Sequence, residues 1–202
     1  MLVRQGTKGF EKSTHRMNKI VSTLAPQQLE VKPIIAVETY QTPKLEEVRV
    51  DMAEMKIESR PIELLTSVGS CVAICVHDPI HKCGGLAHIM LPSSPDPSHE
   101  PLPSKFADTA VPALAKGIRR MTKRENRLYA KIAGGANMFS NLDNRSLNIG
   151  GINIRAVKAA LEKEHIRLAA EDVGGIQGRR ILFNVSSGLT IVRNHGGGIK
   201  KL

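Results

Sequence analysis

The sequence has few aromatic residues, few cysteines and no long apolar run. It contains no Trp, four Phe and two Tyr, so a folded core must be built mostly from aliphatic side chains. No stretch approaches the roughly 18 consecutive apolar residues that a membrane-spanning helix needs, so no membrane insertion is expected. Residues 1–6 carry no apolar segment of the kind found in a secretory signal. We therefore expect a soluble, cytoplasmic protein.

Cysteines are scarce but close together. Cys71, Cys75 and Cys83 fall within thirteen residues, and an odd number in so short a stretch does not resemble a secreted disulfide framework. Reduced thiols in a cytoplasm are expected instead. Three histidines interleave with the cysteines and offer further metal ligands: His77, His81 and His88. No CxxC pair and no common zinc spacing occurs, so a zinc site stays an alternative, and neither a metal nor a cofactor is predicted.

Positive charge is in excess, with a formal net charge of +10. Residues 59–202 carry nine of these ten charges. The densest run comprises Arg119, Arg120, Lys123, Arg124 and Arg127. This run is interpreted either as the solvated end of a helix or as a surface that attracts an acidic partner. Such a partner would be an acidic protein surface or a nucleic acid. No zinc finger, aromatic stripe or helix-turn-helix pattern accompanies the charge, so a nucleic-acid protein is an alternative and nucleic acid is not a predicted partner.

The chain divides into an extension and one domain. Residues 1–50 lack clean periodicity and have a mixed polar composition, which predicts a partly flexible extension in which Val31–Tyr40 forms one strand. The patterning tightens from Asp51, and residues 51–202 are predicted to form the domain. No internal repeat is visible.

Strands and helices alternate along the predicted domain. Two strands are predicted around the turn Asp78-Pro79-Ile80-His81, which has Asp and Pro in favoured β-turn positions. Helical spacing and a hairpin pattern follow further along the chain. The predicted elements are strands at Ser70–His77 and Gly85–Leu91, a helix capped by Asp108 or Thr109 with apolar positions from Val111 to Met121, a helix at about Ile152–Glu164, and a hairpin of Arg180–Val185 with Leu189–Arg193. This order predicts an α+β fold with a mixed sheet.

The turn predicts a contact between a thiol and an imidazole. If Asp78 and His81 close a tight hairpin, Cys71 stands opposite His88 on one face, with Cβ atoms about 4.5–5.5 Å apart. An imidazole beside a thiol can generate the thiolate that attacks a carbonyl carbon. Two alternatives remain open: a bulge at Gly84-Gly85 that shifts the register, and a cysteine that is merely part of the core.

The segment before Cys71 carries groups that suit such a site. Residues 64–70 supply hydroxyls able to orient an imidazole, and Gly69 allows close approach of a substrate to the backbone. Main-chain N–H groups near Cys71 are candidates for an oxyanion hole.

Several motifs occur in the order found in the chemoreceptor glutamine deamidase family of the CheD type, and the chain resembles that family over about residues 52–198. These motifs are Gly69-Ser70-Cys71-Val72-Ala73-Ile74-Cys75, Asp78-Pro79, Ala87-His88-Ile89-Met90-Leu91-Pro92, Lys105-Phe106-Ala107-Asp108-Thr109-Ala110, Lys131-Ile132-Ala133-Gly134-Gly135-Ala136-Asn137-Met138-Phe139, Asn148-Ile149-Gly150, Glu171-Asp172-Val173-Gly174-Gly175 and Gly178-Arg179-Arg180. Residues 1–50 lie outside the resemblance.

The resemblance implies a catalytic set. Cys71 is the expected nucleophile and His88 the expected general base. A threonine upstream is the expected third member. In some relatives it lies six residues before the cysteine, where this chain has Leu65. Thr66, five residues before, is the residue predicted here, with Ser67 as the alternative.

The resemblance also implies a fold and a function. The expected fold is an α+β sandwich of mixed sheets flanked by helices, related to toxin-type cysteine deamidases. The expected reaction is deamidation of glutamine side chains on methyl-accepting chemotaxis receptors through a thioester, without a cofactor. A CheC-type chemotaxis phosphatase is a further expected partner. The alternative is a non-catalytic binding module that docks on receptors or on such a phosphatase.

Overall fold

A computed structural model describes residues 44–123, 127–138 and 148–202. All of them belong to Pro43–Leu202, the second of two compact units into which the chain divides. The predicted strand Val31–Tyr40 lies outside the described residues. The predicted boundary after residue 50 stays a prediction.

The described residues form ten strands and two α-helices, and a single 3₁₀ turn at Pro103–Lys105 precedes the first helix. The strands are β1 (Glu47–Arg49), β2 (Met55–Glu58), β3 (Glu63–Val68), β4 (Val72–Asp78), β5 (Cys83–Ile89), β6 (Tyr129–Gly134), β7 (Arg167–Val173), β8 (Arg179–Asn184), β9 (Thr190–Asn194) and β10 (Ile199–Lys201). The helices are α1 (Ala107–Thr122) and α2 (Ile149–Lys163).

The strands form two five-stranded sheets. The first has the order β1-β3-β8-β9-β10, and the second has the order β2-β5-β4-β6-β7. Each sheet contains one parallel pair, β1 with β3 and β6 with β7, among antiparallel pairs. These mixed sheets confirm the predicted α+β sandwich. The predicted relation to toxin-type deamidases stays a prediction.

Strand β4 is buried on both sides and therefore separates two layers of core. Its residues Val72, Ile74 and Val76 belong to the cluster shared with the helices. Ala73 and Cys75 belong to the cluster shared with the first sheet. Because alternate residues of a strand point to opposite faces, the layers are helices, second sheet and first sheet, in that order.

The helices cover the second sheet through aliphatic faces. On α1 the fully buried side chains recur at helical spacing, and they include Val111, Leu114 and Ile118. Among the described residues, no helix combines the length and the apolar character that crossing a membrane requires.

Candidate active site

The hairpin of β4 and β5 has a different register from the one predicted. Asp78 pairs with Cys83, not with His81, and His88 consequently stands opposite Ala73. The predicted direct opposition of Cys71 and His88 is therefore wrong. The turn is longer because the Asp78 carboxylate accepts hydrogen bonds from the N–H groups of Ile80 and His81. The register error is two residues, so it leaves every side chain on its predicted face.

His88 lies between the two sheets and is held on several sides. Its ring Nδ1 is 2.8 Å from the hydroxyl oxygen of Thr66 on β3. Its backbone N–H donates to Glu54 O, and its carbonyl accepts from the N–H of Ala53. Its exposed fraction is 4%, and Nε2 is buried without a hydrogen-bond partner among the described residues. The ring is therefore oriented through Nδ1, and Nε2 remains available for chemistry.

Cys71 lies immediately before β4 and faces the same layer as His88. Its half-buried side chain packs against the cluster between the sheets, and its thiol is free. Its carbonyl accepts a 2.7 Å hydrogen bond from the N–H of Gly135. Because His88 pairs with Ala73, Cys71 occupies the diagonal position on the same face. Diagonal neighbours lie about 7–8 Å apart, within reach of an aromatic ring.

Burial favours the uncharged forms of both groups. It raises the pKa of the Cys71 thiol, and the backbone N–H of the same residue acts in the opposite direction. Burial lowers the pKa of His88, and the negative charge of Asp51 partly offsets this effect. Desolvation disfavours thiolate and imidazolium alike. Both shifts favour a thiol and a neutral imidazole in the resting pair, a state that requires the proton to move during attack.

A cleft reaches His88 from the side of Thr66. Its volume is about 320 Å³. Its lining includes Ser67, the loop after β1 and two arginines from the first sheet. The lining residues are Arg49, Val50, Asp51, Met52, Leu65, Thr66, Ser67, His88 and Arg180. Arg49 pairs with Asp51 at 2.6 Å and Arg180 lies 3.8 Å from Glu47, so the cleft places ion-paired arginines and two hydroxyl groups next to the imidazole.

The other two cysteines are placed as core residues. Burial raises the pKa of Cys75 to about 12. Cys83 is 1% exposed, and burial raises its pKa as well. Within the described ranges, no group of three or more His, Cys, Asp or Glu residues is arranged to hold a metal ion.

Residues 90–194 match the family profile described as CheD chemotactic sensory transduction. A probable chemoreceptor glutamine deamidase CheD of Desulforamulus reducens is 43% identical over 156 residues, which are 76% of this chain and 94% of the relative. The chain belongs to the CheD family. A probable chemoreceptor glutamine deamidase CheD of Clostridium kluyveri is 42% identical over 161 residues, covering 79% of this chain and 99% of the relative. The chemoreceptor glutamine deamidase CheD of Thermotoga maritima is 41% identical over 150 residues, covering 74% of this chain and 92% of the relative.

The CheD profile match begins after both Cys71 and His88, so the catalytic roles of these residues and of Thr66 stay predictions. The structure brings Thr66 and His88 into contact and leaves Ser67 exposed on the same strand. Asp51, whose charge acts on His88, is not among the predicted site residues. No local pattern identifies it, because it lies in a loop far from His88 in sequence.

Proposed function

We propose that the chain deamidates glutamine side chains of methyl-accepting chemotaxis receptors, with Cys71 as nucleophile, His88 as general base and Thr66 as the residue that orients His88. The observation that carries the proposal is the imidazole of His88, bonded to Thr66 at Nδ1, unpaired at Nε2 and facing the same layer as the free thiol. The names of the CheD relatives supply the reaction and the substrate.

The first half of the reaction forms a thioester. With Nδ1–H donating to Thr66, Nε2 of His88 carries a lone pair and takes the proton of the Cys71 thiol as sulfur attacks the carboxamide carbon. The same nitrogen then returns that proton to the departing amide nitrogen. The carbon–nitrogen bond breaks and ammonia leaves, so the glutamine acyl group is bonded to sulfur.

The second half consumes water. His88 Nε2 accepts a proton from a water molecule as its oxygen attacks the thioester carbon. The carbon–sulfur bond breaks, the thiolate of Cys71 regains a proton from His88, and the glutamic acid that forms loses its remaining proton to solvent and is released as a carboxylate. Each turnover therefore adds one negative charge to the receptor. The cycle needs only water, so the proposal includes no cofactor.

The charge of the chain supports an acidic partner. Arg49 and Arg180 line the cleft beside His88 and are each paired with a carboxylate, whereas the chain as a whole has a formal net charge of +10. Such a field accelerates the encounter with an acidic receptor segment, and added salt weakens the effect. A CheC-type phosphatase is a further proposed partner. The proposed location is the cytoplasm, where the three free thiols stay reduced.

The decisive experiment measures ammonia release and intact mass of a cytoplasmic receptor fragment after incubation with the chain. Wild type is expected to release ammonia and to convert amides to acids in equal number. Cys71→Ala is expected to abolish both, whereas Cys75→Ala, a change on β4 that packs in the same core cluster, is expected to keep both. Activity that survives in Cys71→Ala would refute the nucleophile. Receptor binding by wild type without ammonia release would support the non-catalytic binding module.

A further inference from the structure

Helix α2 carries one fully buried amide side chain directed at the candidate site. Asn153 is 0% exposed. Its Nδ2 group donates one hydrogen bond to Ser70 O at 3.1 Å and another to Met90 O at 2.9 Å. Both hydrogens of the amide nitrogen are therefore used by backbone carbonyls from two different segments.

These two carbonyls flank the proposed catalytic pair. Ser70 directly precedes Cys71, and Met90 follows His88 by two residues. Both lie just beyond the paired part of β4 and β5, which ends at Val72 opposite Ile89. The amide group of Asn153 consequently links the residue before Cys71 to the chain just after His88 through two hydrogen bonds. One amide nitrogen thus bridges the two segments where the strand pairing has ended.

The two ends of the Asn153 amide are bonded unequally. Its Oδ1 is buried without a hydrogen-bond partner among the described residues, whereas its nitrogen donates to two backbone carbonyls. An unpaired buried acceptor is unfavourable for folding, and an apolar side chain would avoid it only by leaving both carbonyls without this donor. One turn later on α2, the buried residue is Val157, whose side chain is apolar and belongs to the helix-side core. The retained amide therefore points to a requirement for its two donors.

We infer that Asn153 is a positioning residue for the Cys71–His88 pair, an inference that rests on the proposed function. It acts through the backbone, by holding the Ser70 and Met90 carbonyls at one nitrogen. It does not line the cleft beside His88. Loss of its donors should therefore lower kcat and leave KM nearly unchanged. A displacement of about 1 Å in a reacting group can cost about 100-fold in rate, which sets the expected scale.

The test uses Asn153→Asp, which keeps the size and shape of the side chain but turns a carboxylate towards two carbonyls. Val157→Ala is the matched control, because it also removes buried contacts from α2 but donates to neither segment. Asn153→Ser, which is smaller, uncharged and retains a single donor, replaces Asn153→Asp if that variant does not fold. Each protein is measured for kcat and KM on the receptor fragment, for the rate of Cys71 alkylation by iodoacetamide, and for its thermal unfolding midpoint.

Both variants are expected to unfold at a lower temperature than wild type. Well below both midpoints, only the Asn153 variant should show a kcat reduced by about 10- to 100-fold and a changed alkylation rate at Cys71. Equal losses of kcat in the Asn153 variant and Val157→Ala, or an unchanged kcat in the former, would overturn the inference. Failure of the proposed function is recognised separately, because wild type would then release no ammonia or Cys71→Ala would remain active.

Discussion

The hydroxyl oxygen of Thr66 lies 2.8 Å from Nδ1 of His88, and this contact joins the two sheets at the candidate site. The two residues are only 3% and 4% exposed, so solvent has little access to the contact between them. In such surroundings the partner of one ring nitrogen sets the tautomer and therefore the role of the other. Thr66 occupies Nδ1 and leaves Nε2 as the nitrogen that can exchange a proton with the thiol.

Replacing Thr66 with Val should lower kcat while the fold persists. Valine has nearly the same shape as threonine but lacks the hydroxyl, so Nδ1 becomes a buried polar atom without a partner. We expect a loss of roughly 1–3 kcal/mol in the free energy of unfolding. We expect kcat to fall about 10- to 100-fold, less than the largest loss from removing a general base itself. Ammonia release under saturating receptor fragment and urea unfolding curves measure the two quantities.

Two further variants test whether activity depends on the hydroxyl group of Thr66 or only on the surrounding part of β3. Thr66→Ser keeps the hydroxyl and should restore most of the activity. Ser67→Ala changes the neighbouring residue, which lines the cleft but is not the hydroxyl bonded to His88, and should lower kcat less than Thr66→Val does. The role of Thr66 would be refuted if Ser67→Ala were the more damaging change, since the alternative assignment would then be correct.

Local patterns predicted the elements of the fold well where neighbouring residues determine them. The hairpin predicted at Arg180–Val185 and Leu189–Arg193 is present as β8 and β9, because two largely apolar runs on either side of a Ser-Ser-Gly turn are a local feature. The register predicted for β4 with β5 differs from the observed one by two residues. The predicted tight turn neglected the Asp78 carboxylate, which caps two N–H groups, and the positive φ of 51° at Lys82. These two features lengthen the loop to four residues.

The site was predictable only in part, because its contacts join distant segments. The sequence predicts Cys71 and His88 on the same face of the second sheet. The predicted β4–β5 register is shifted by two residues, an even number, so both side chains stay on that face. The choice between Thr66 and Ser67 depends on which face of β3 meets β5, and stacking of two sheets has no local pattern. Asn153 reaches the site from a helix more than sixty residues further along the chain. Nothing around it in sequence distinguishes it from an ordinary helical asparagine.

The activity should depend on pH as expected for a neutral thiol and a neutral imidazole. Because burial lowers the pKa of His88, the acidic limb of kcat/KM should have its midpoint below the ordinary histidine value of about 6.5. Because burial raises the pKa of Cys71, its alkylation rate should still increase with pH above neutrality. Alkylation that has already reached a plateau at neutral pH would contradict this picture and indicate a preformed thiolate–imidazolium pair.

The same shift predicts how stability responds to acid. In the unfolded chain His88 binds a proton below about pH 6.5, whereas the folded protein resists protonation until a lower pH. The unfolded state therefore binds more protons in this window, and the free energy of unfolding should decrease as the pH falls.

Asp51→Asn removes the charge that raises the pKa of His88, so it should move the acidic limb of activity to lower pH. An unmoved limb would show that Asp51 does not act on the imidazole.

Gly134, at the end of β6, should be intolerant of a side chain for a reason specific to the nucleophile. Its φ is +115°, which L-residues rarely adopt, and a Cβ built there would clash with the carbonyl oxygen of Cys71. Gly134→Ala should therefore cost about 1–3 kcal/mol in backbone strain and, in addition, displace the Cys71 carbonyl. We expect both a lower unfolding midpoint and a loss of kcat that exceeds what the reduced stability explains.

Gly197→Ala provides the control that isolates the second effect. Gly197 also has a positive φ, +87°, but a Cβ there would meet no atom within 4 Å. The two substitutions thus share backbone strain, and only the one at Gly134 adds a clash with Cys71. Kinetics measured well below both midpoints should show a reduced kcat for Gly134→Ala and a nearly unchanged kcat for Gly197→Ala. Equal kcat values would mean that the position of the Cys71 carbonyl does not control the nucleophile, and the thiol would then have to be oriented from another side.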